Sequence, residues 1–188
     1  MPADAPKAAR ERARLQGLLQ PGAPTNHGMQ SRRQIQQARF DEFLEDHDLN
    51  TMHHQLPTKA ESRGWIRSMD KIIESSVVSI MFQRMLFDND MAKHVEFYKT
   101  TKIFAKERSA AKRTVMAKQI WNDYLAESRP DRIHTRFFIL EKTIDNIKKH
   151  SRPSTFRLAH EFVQKKLKEK YESFITTPEF RELCDIFD

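Results

Sequence analysis

Glycine is nearly missing from this chain: four residues in 188, at positions 17, 22, 28 and 64, and none from Trp65 to Asp188. Glycine supplies positive φ and lets backbone approach a phosphate closely, so its absence removes Walker-type and dinucleotide-type phosphate loops from that segment. Type I′ and II′ hairpin turns, which lean on glycine, are disfavoured there as well. The chain has to turn with Pro, Asn, Asp and Ser, which favours helices joined by short polar connectors. The expected fold class is all-α.

Cysteine is scarcer still. Cys184 alone permits no intrachain disulfide and no cysteine-based zinc site, and it fits a reducing compartment. It sits in an apolar helical pattern, so it reads as a small core hydrophobe rather than a nucleophile. No run approaches the roughly 18 apolar residues of a membrane span, and Met1 to Arg14 lacks the apolar stretch of a secretory signal. The expected location is cytoplasmic, including the inner face of a membrane. Enzyme motifs are missing too: there is no G-x-S-x-G, H-E-x-x-H or kinase signature. Eight histidines are scattered, and only His53 and His54 adjoin. Adjacent side chains diverge and no helically spaced ligand completes a metal set, so no metal, cofactor or catalytic side chain is expected.

What is present is uneven. Residues 1–60 hold three of the four glycines, five of the eight prolines and two of the thirteen Phe; both Trp lie beyond them. The core therefore belongs to the later part, with a boundary near Pro57 to Gly64. Three segments are expected: 1–31 as a flexible basic tail and linker, 32–60 as an extension with one helix docking on the domain, and 61–188 as the helical domain. Within the tail, Lys7 to Leu19 has a weak amphipathic pattern, and residues 20–30 read as linker. Phe40, Phe43 and Leu44 mark the docking face of the extension.

Helical period then organises the domain. Trp65, Ile66, Met69, Ile72 and Ile73 make one stripe; Val77, Val78, Met81, Met85 and Leu86 another. Val95, Phe97, Tyr98 and Phe104 fall on adjoining faces. Ala111, Val115, Met116, Ile120, Trp121, Tyr124 and Leu125 form the longest stripe. After Pro130 come Phe137, Phe138, Leu140, Ile144 and Ile147. Leu158, Ala159, Phe162, Val163 and Leu167 follow, with Ser154 or Thr155 placed to cap their helix. Thr177-Pro178-Glu179 is a helix start, leading to Phe180, Leu183 and Phe187.

Charge is uneven as well. The formal net charge is +7, and between Lys93 and Lys118 eight bases face two acids, Glu96 and Glu107. The basic surface of Lys99, Lys102, Lys106, Arg108, Lys112 and Arg113 reads first as a solvated helical face that keeps the domain soluble, with an anionic membrane as the alternative. Aromatics there follow the core period and do not interleave as stacking platforms, which argues against nucleic acid.

The order of short motifs resembles a known family. Ser68-Met69-Asp70-Lys71-Ile72-Ile73, then Phe82-Gln83-Arg84-Met85-Leu86, then His94-Val95-Glu96-Phe97-Tyr98 are similar to the opening helices of the regulator of G-protein signalling (RGS) homology domain. Ala117 to Leu125 resembles the family's A-x-x-I-Y-x-x-F-I helix, Phe156-Arg157-Leu158-Ala159-His160 its F-D-E-A-Q, and Tyr171-Glu172-Ser173-Phe174-Ile175 its Y-x-R-F-L. The resemblance covers about Glu61 to Asp188. It implies a nine-helix all-α domain with an antiparallel four-helix bundle. It also implies binding to a heterotrimeric G-protein α subunit, whose switch segments such domains hold in the transition-state arrangement without adding an arginine finger.

The family's partner-facing letters are changed. Its E-N pair aligns on Lys93-His94. Its second Asn has no counterpart, the nearest candidates being His134 and Thr135. The Asp after Phe is Arg157, and the Arg of Y-x-R-F-L is Ser173. Losing one hydrogen-bonding donor at a preorganised site costs ~3 kcal/mol, a few hundredfold in rate. The resemblance therefore implies a divergent RGS-like interaction or scaffold domain, monomeric, with its ordinary GTPase-activating contacts largely replaced. Two alternatives stand beside it: an active GTPase activator using His94 and His134 as donors, and a basic-surface binder of membrane or nucleic acid. The family usually places Gly where Val78 stands, four residues before Phe82.

Overall fold

The computed structural model of the chain describes residues 32–49 and 55–187. The readings of residues 1–31, including the Lys7 to Leu19 pattern and the linker, and of His53-His54 lie outside the described residues. Gln36–Asp188 forms one compact unit.

Nine α-helices and no strand occur among the described residues. They are α1 (Arg32–Asp46), α2 (Lys59–Arg67), α3 (Met69–Glu74), α4 (Val78–Phe87), α5 (Ala92–Lys106), α6 (Ala110–Ile120), α7 (Phe137–Lys149), α8 (Arg157–Phe174) and α9 (Pro178–Asp185). The last turn of α6 widens into a π-helical segment, Trp121–Leu125, closed by Ala126 N–H donating to the Trp121 carbonyl at 2.9 Å. The all-α expectation holds. Its glycine-poor turns work as the composition requires: among the described residues the non-glycine positions with positive φ are Asp48 (51°) and Asp90 (56°), and short Asx side chains tolerate that region best.

Local chemistry explains the helix starts. Thr58 caps α2 and Glu61 answers back to the Thr58 backbone N–H at 2.7 Å, forming a capping box. Thr177 accepts from Phe180 N–H with Pro178 in the first turn of α9, as the sequence proposes. The cap proposed for α8 is different: Phe156 occupies that position, and neither Ser154 nor Thr155 caps the helix with its side chain. Val78 opens α4, fully buried, with helical backbone. A β-branched residue is no obstacle there, because the position needs no positive φ.

Helices α5, α6, α7 and α8 pack each on the next, and α8 closes back on α5, the closed ring of an up-and-down bundle. Phe97 and Phe104 meet Phe156 edge to face at centroid separations of 6.3 and 5.0 Å, and Phe97 meets Tyr124 at 5.6 Å. A second aromatic layer joins α1 and α2 to the residues after α9: Phe187 lies edge-on to Phe40 and to Trp65, 5.9 Å from each. From α8, the Tyr171 hydroxyl reaches this layer by donating to the carbonyls of Trp65 (3.1 Å) and Ile66 (2.7 Å).

Several stripe members point outward. Ile66, Val115, Phe137 and Phe138 are 53%, 62%, 69% and 54% exposed. On α7 the buried positions are Ile139 and Thr143, so the inward face is rotated from the one that the aromatics suggest. Cys184 is half-buried against the core.

Candidate functional site: the start of α5 and the α6–α7 connector

Lys93 and His94 occupy the first turn of α5. Their side chains part at once, as neighbours on a helix do. His94 turns inward and is 5% exposed, and both ring nitrogens are buried without a hydrogen-bond partner. Burial, helped by the charge of Lys166, lowers its pKa from 6.5 to about 4, so the ring is neutral at physiological pH.

Lys93 turns the other way. Its Nζ pairs with the Asp131 carboxylate at 2.5 Å and donates to the Asp123 carbonyl at 3.4 Å. That hydrogen bond holds the Asp131 carboxyl below the usual carboxylate range. The connector that carries Asp131 is anchored by Ile133, which is buried and whose N–H donates to the Tyr124 carbonyl at 2.8 Å. His134 is exposed and Thr135 half-buried just beyond that anchor. Arg129 braces the same stretch through Asp123 (3.4 Å) and the Asn122 carbonyl (3.3 Å).

The turn before α5 is tied to α8. Lys170 donates to the Asn89 side chain at 2.6 Å, and Asn89 donates back to the Met85 carbonyl at 2.7 Å. Ser173 lies about one turn beyond Lys170 and donates to the Glu169 carbonyl. Arg157 is at the opposite end of α8, roughly 24 Å away along the axis at 1.5 Å per residue, paired with Glu161 at 3.2 Å. The structure thus joins Lys93 to the connector and ties α8, one turn before Ser173, to the turn that precedes α5, with Arg157 at the far end of α8. The family letters do not single out Asp131. Its signal was visible: it is the sole acid between Glu127 and Glu141.

The Regulator of G protein signaling domain model matches residues 68–183 of this chain, the stretch from the α2–α3 junction into α9. This chain belongs to the RGS family. Among curated relatives, Regulator of G-protein signaling 5 from Rattus norvegicus is 24% identical over 130 residues, covering 69% of this chain and 71% of the relative. The Bos taurus protein of the same name is 26% identical over 105 residues, covering 56% and 58%. The bundle is the family's all-α fold, and as a member the chain is a regulator of G-protein signalling.

The basic surface of this RGS domain is less uniform than its letters. Lys99, Lys106, Arg108 and Lys112 are exposed. Lys102 instead holds Asp70 at 3.0 Å, beside the Tyr98 hydroxyl at 2.9 Å from the same oxygen. Burial pushes the Asp70 carboxyl up, but the hydrogen bonds from Lys102 and Tyr98 outweigh it and leave the group below its ordinary range. Arg113 is a clamp, donating to the carbonyls of Glu107 (2.8 Å), Arg108 (2.9 Å) and Ser151 (2.9 Å). No group of three His, Cys, Asp or Glu among the described residues is placed to hold a metal, and no described helix is long and apolar enough to cross a membrane.

Proposed function

We propose that this chain engages a heterotrimeric G-protein α subunit as a divergent RGS domain without accelerating GTP hydrolysis through the family's usual contacts. The observation that carries this is the start of α5. Where the family resemblance implies an acid and an Asn facing the switch segments, Lys93 is committed to Asp131 within the chain and the His94 ring nitrogens are buried. Neither offers a preorganised donor to a partner, and the lost term is ~3 kcal/mol per donor. His134, Thr135 and Ser173 remain as contacts for binding. Function then rests on occupancy, as in an interaction or scaffold module.

The test is single-turnover GTP hydrolysis by a panel of α subunits, paired with pull-down of the same subunits loaded with GDP and aluminium fluoride. Binding without acceleration is the expected result; clear acceleration overturns the loss of activity. If acceleration appears and His94→Ala erases it, His94 is acting as the donor after all.

A second reading, docking of the basic surface on an anionic membrane, is favoured by Ile103 and Val115. Each is 62% exposed on the two helices that carry Lys99, Lys106 and Lys112. Aliphatic side chains among lysines suit a lipid interface. Vesicle binding should weaken with salt and with Ile103→Ser/Val115→Ser; insensitivity to both eliminates this reading.

A further inference from the structure

The turn that joins α7 to α8 carries charge of one sign. From Asn146 to His160 there is no acidic residue, while Lys148, Lys149, Arg152 and Arg157 supply four fixed cations. Asn146, Lys149, His150, Arg152, Ser154 and Thr155 surround a cleft of about 330 Å³. Lys149, His150 and Arg152 form no ion pair with any described residue.

The polar groups around the cleft have unused capacity. Thr155 lines it, is 3% exposed, and its hydroxyl has no hydrogen-bond partner. The Ser151 hydroxyl, also buried, is without one too. The Asn146 amide reaches the Thr155 carbonyl only at 3.5 Å, the outer limit of a hydrogen bond. Buried hydroxyls are ordinarily satisfied, and an orphan calls for an unseen partner. Helix α8 begins beside these residues with no side-chain cap and no acid in its first turn, so its N-terminal N–H groups and dipole also favour an anion.

From these observations we infer that the α7–α8 turn is a binding site for a phosphomonoester. Such a group presents three strong acceptor oxygens and close to two negative charges. The Arg152 guanidinium provides a planar fork, Lys149 a point charge, and Asn146 and Thr155 neutral donors. A lone carboxylate would leave part of this donor set unused. None of these four donors is among the residues that the family resemblance turns toward a G-protein partner. A free phosphate ester and a phosphorylated lipid headgroup share this chemistry.

The experiment titrates the whole chain with sodium phosphate against sodium chloride at equal ionic strength, reading the amide chemical shifts of Ser151, Arg152, Ser154, Thr155 and Phe156. A second arm uses phosphatidylcholine vesicles with and without a phosphoinositide. Saturable shifts with phosphate are expected, weakened about tenfold or more in Lys149→Ala/Arg152→Ala. Both side chains are exposed, so this variant keeps its fold, and a thermal melt checks that. Binding to phosphoinositide vesicles only, lost in the double variant, identifies the source as a headgroup. The inference is overturned if neither probe saturates, if chloride gives the same shifts, or if the double variant binds as tightly as the parent.

Discussion

Helices α5 and α7 carry similar numbers of large apolar residues and meet different fates. Along α5, His94, Val95, Phe97, Tyr98, Thr101 and Phe104 are all buried, because α4, α6 and α8 pack around it. Along α7 only Ile139 and Thr143 are buried, while Phe137 and Phe138 at its first turn stand in solvent, since the main contacts of α7 are with its two bundle neighbours. Period says that both are helices. The number of neighbours says how wide an arc is covered, and a wide arc draws even a histidine inside.

The sharpest way to break this comparison is at the centre of α5. Phe97→Ala should cost ~3–5 kcal/mol, because it removes two edge-to-face contacts and leaves a cavity in a packed interior. Urea denaturation at neutral pH measures it, and a loss under 1 kcal/mol would show that α5 is no more central than α7.

His94 tests the same helix by pH. Its folded-state pKa of about 4 lies below the ordinary 6.5, so protonation favours the unfolded chain. The stability gained from a neutral ring is complete above pH 6.5 and is lost as pH falls toward 4, by about 3 kcal/mol. Urea midpoints across that window should fall less steeply in His94→Leu than in the parent; equal slopes would assign the effect to other groups.

On α7 the expected effects shrink. Ile139→Ala should cost about 2–3 kcal/mol, as for a buried aliphatic with room to relax. Phe137→Ser and Phe138→Ser should each change stability by less than about 0.5 kcal/mol, as surface substitutions do. Thermal melts of the three variants rank them directly, and a large loss at Phe137 would mean that this face is covered in solution.

The site shows the same division. Lys93, His94, His134, Thr135, Arg157 and Ser173 follow from the order of letters, yet letters assign no direction. The ion pair from Lys93 spans 38 positions to Asp131; Asp131 stands out locally as the sole acid between Glu127 and Glu141, but nothing in that local pattern pairs it with Lys93. Arg157 and Ser173 lie on one helix, and only its length reveals that they serve different ends of the molecule. The misplaced α8 cap has a similar cause: Ser154 and Thr155 have the right chemistry, but the entry angle of the chain makes Phe156 the residue that turns into the helix.

By itself the sequence determined that this protein is helical, because period and propensity act over a few residues and glycine is missing where sheets and phosphate loops would need it. It also determined where α9 starts, through Thr177 and Pro178, and that connectors would turn on residues such as Asp90. Only the tertiary structure decided which side of each helix faces inward, that His94 is desolvated and neutral, and that Lys93 is held by Asp131. Burial and ion pairing depend on what else arrives in space, and that is fixed when the bundle closes.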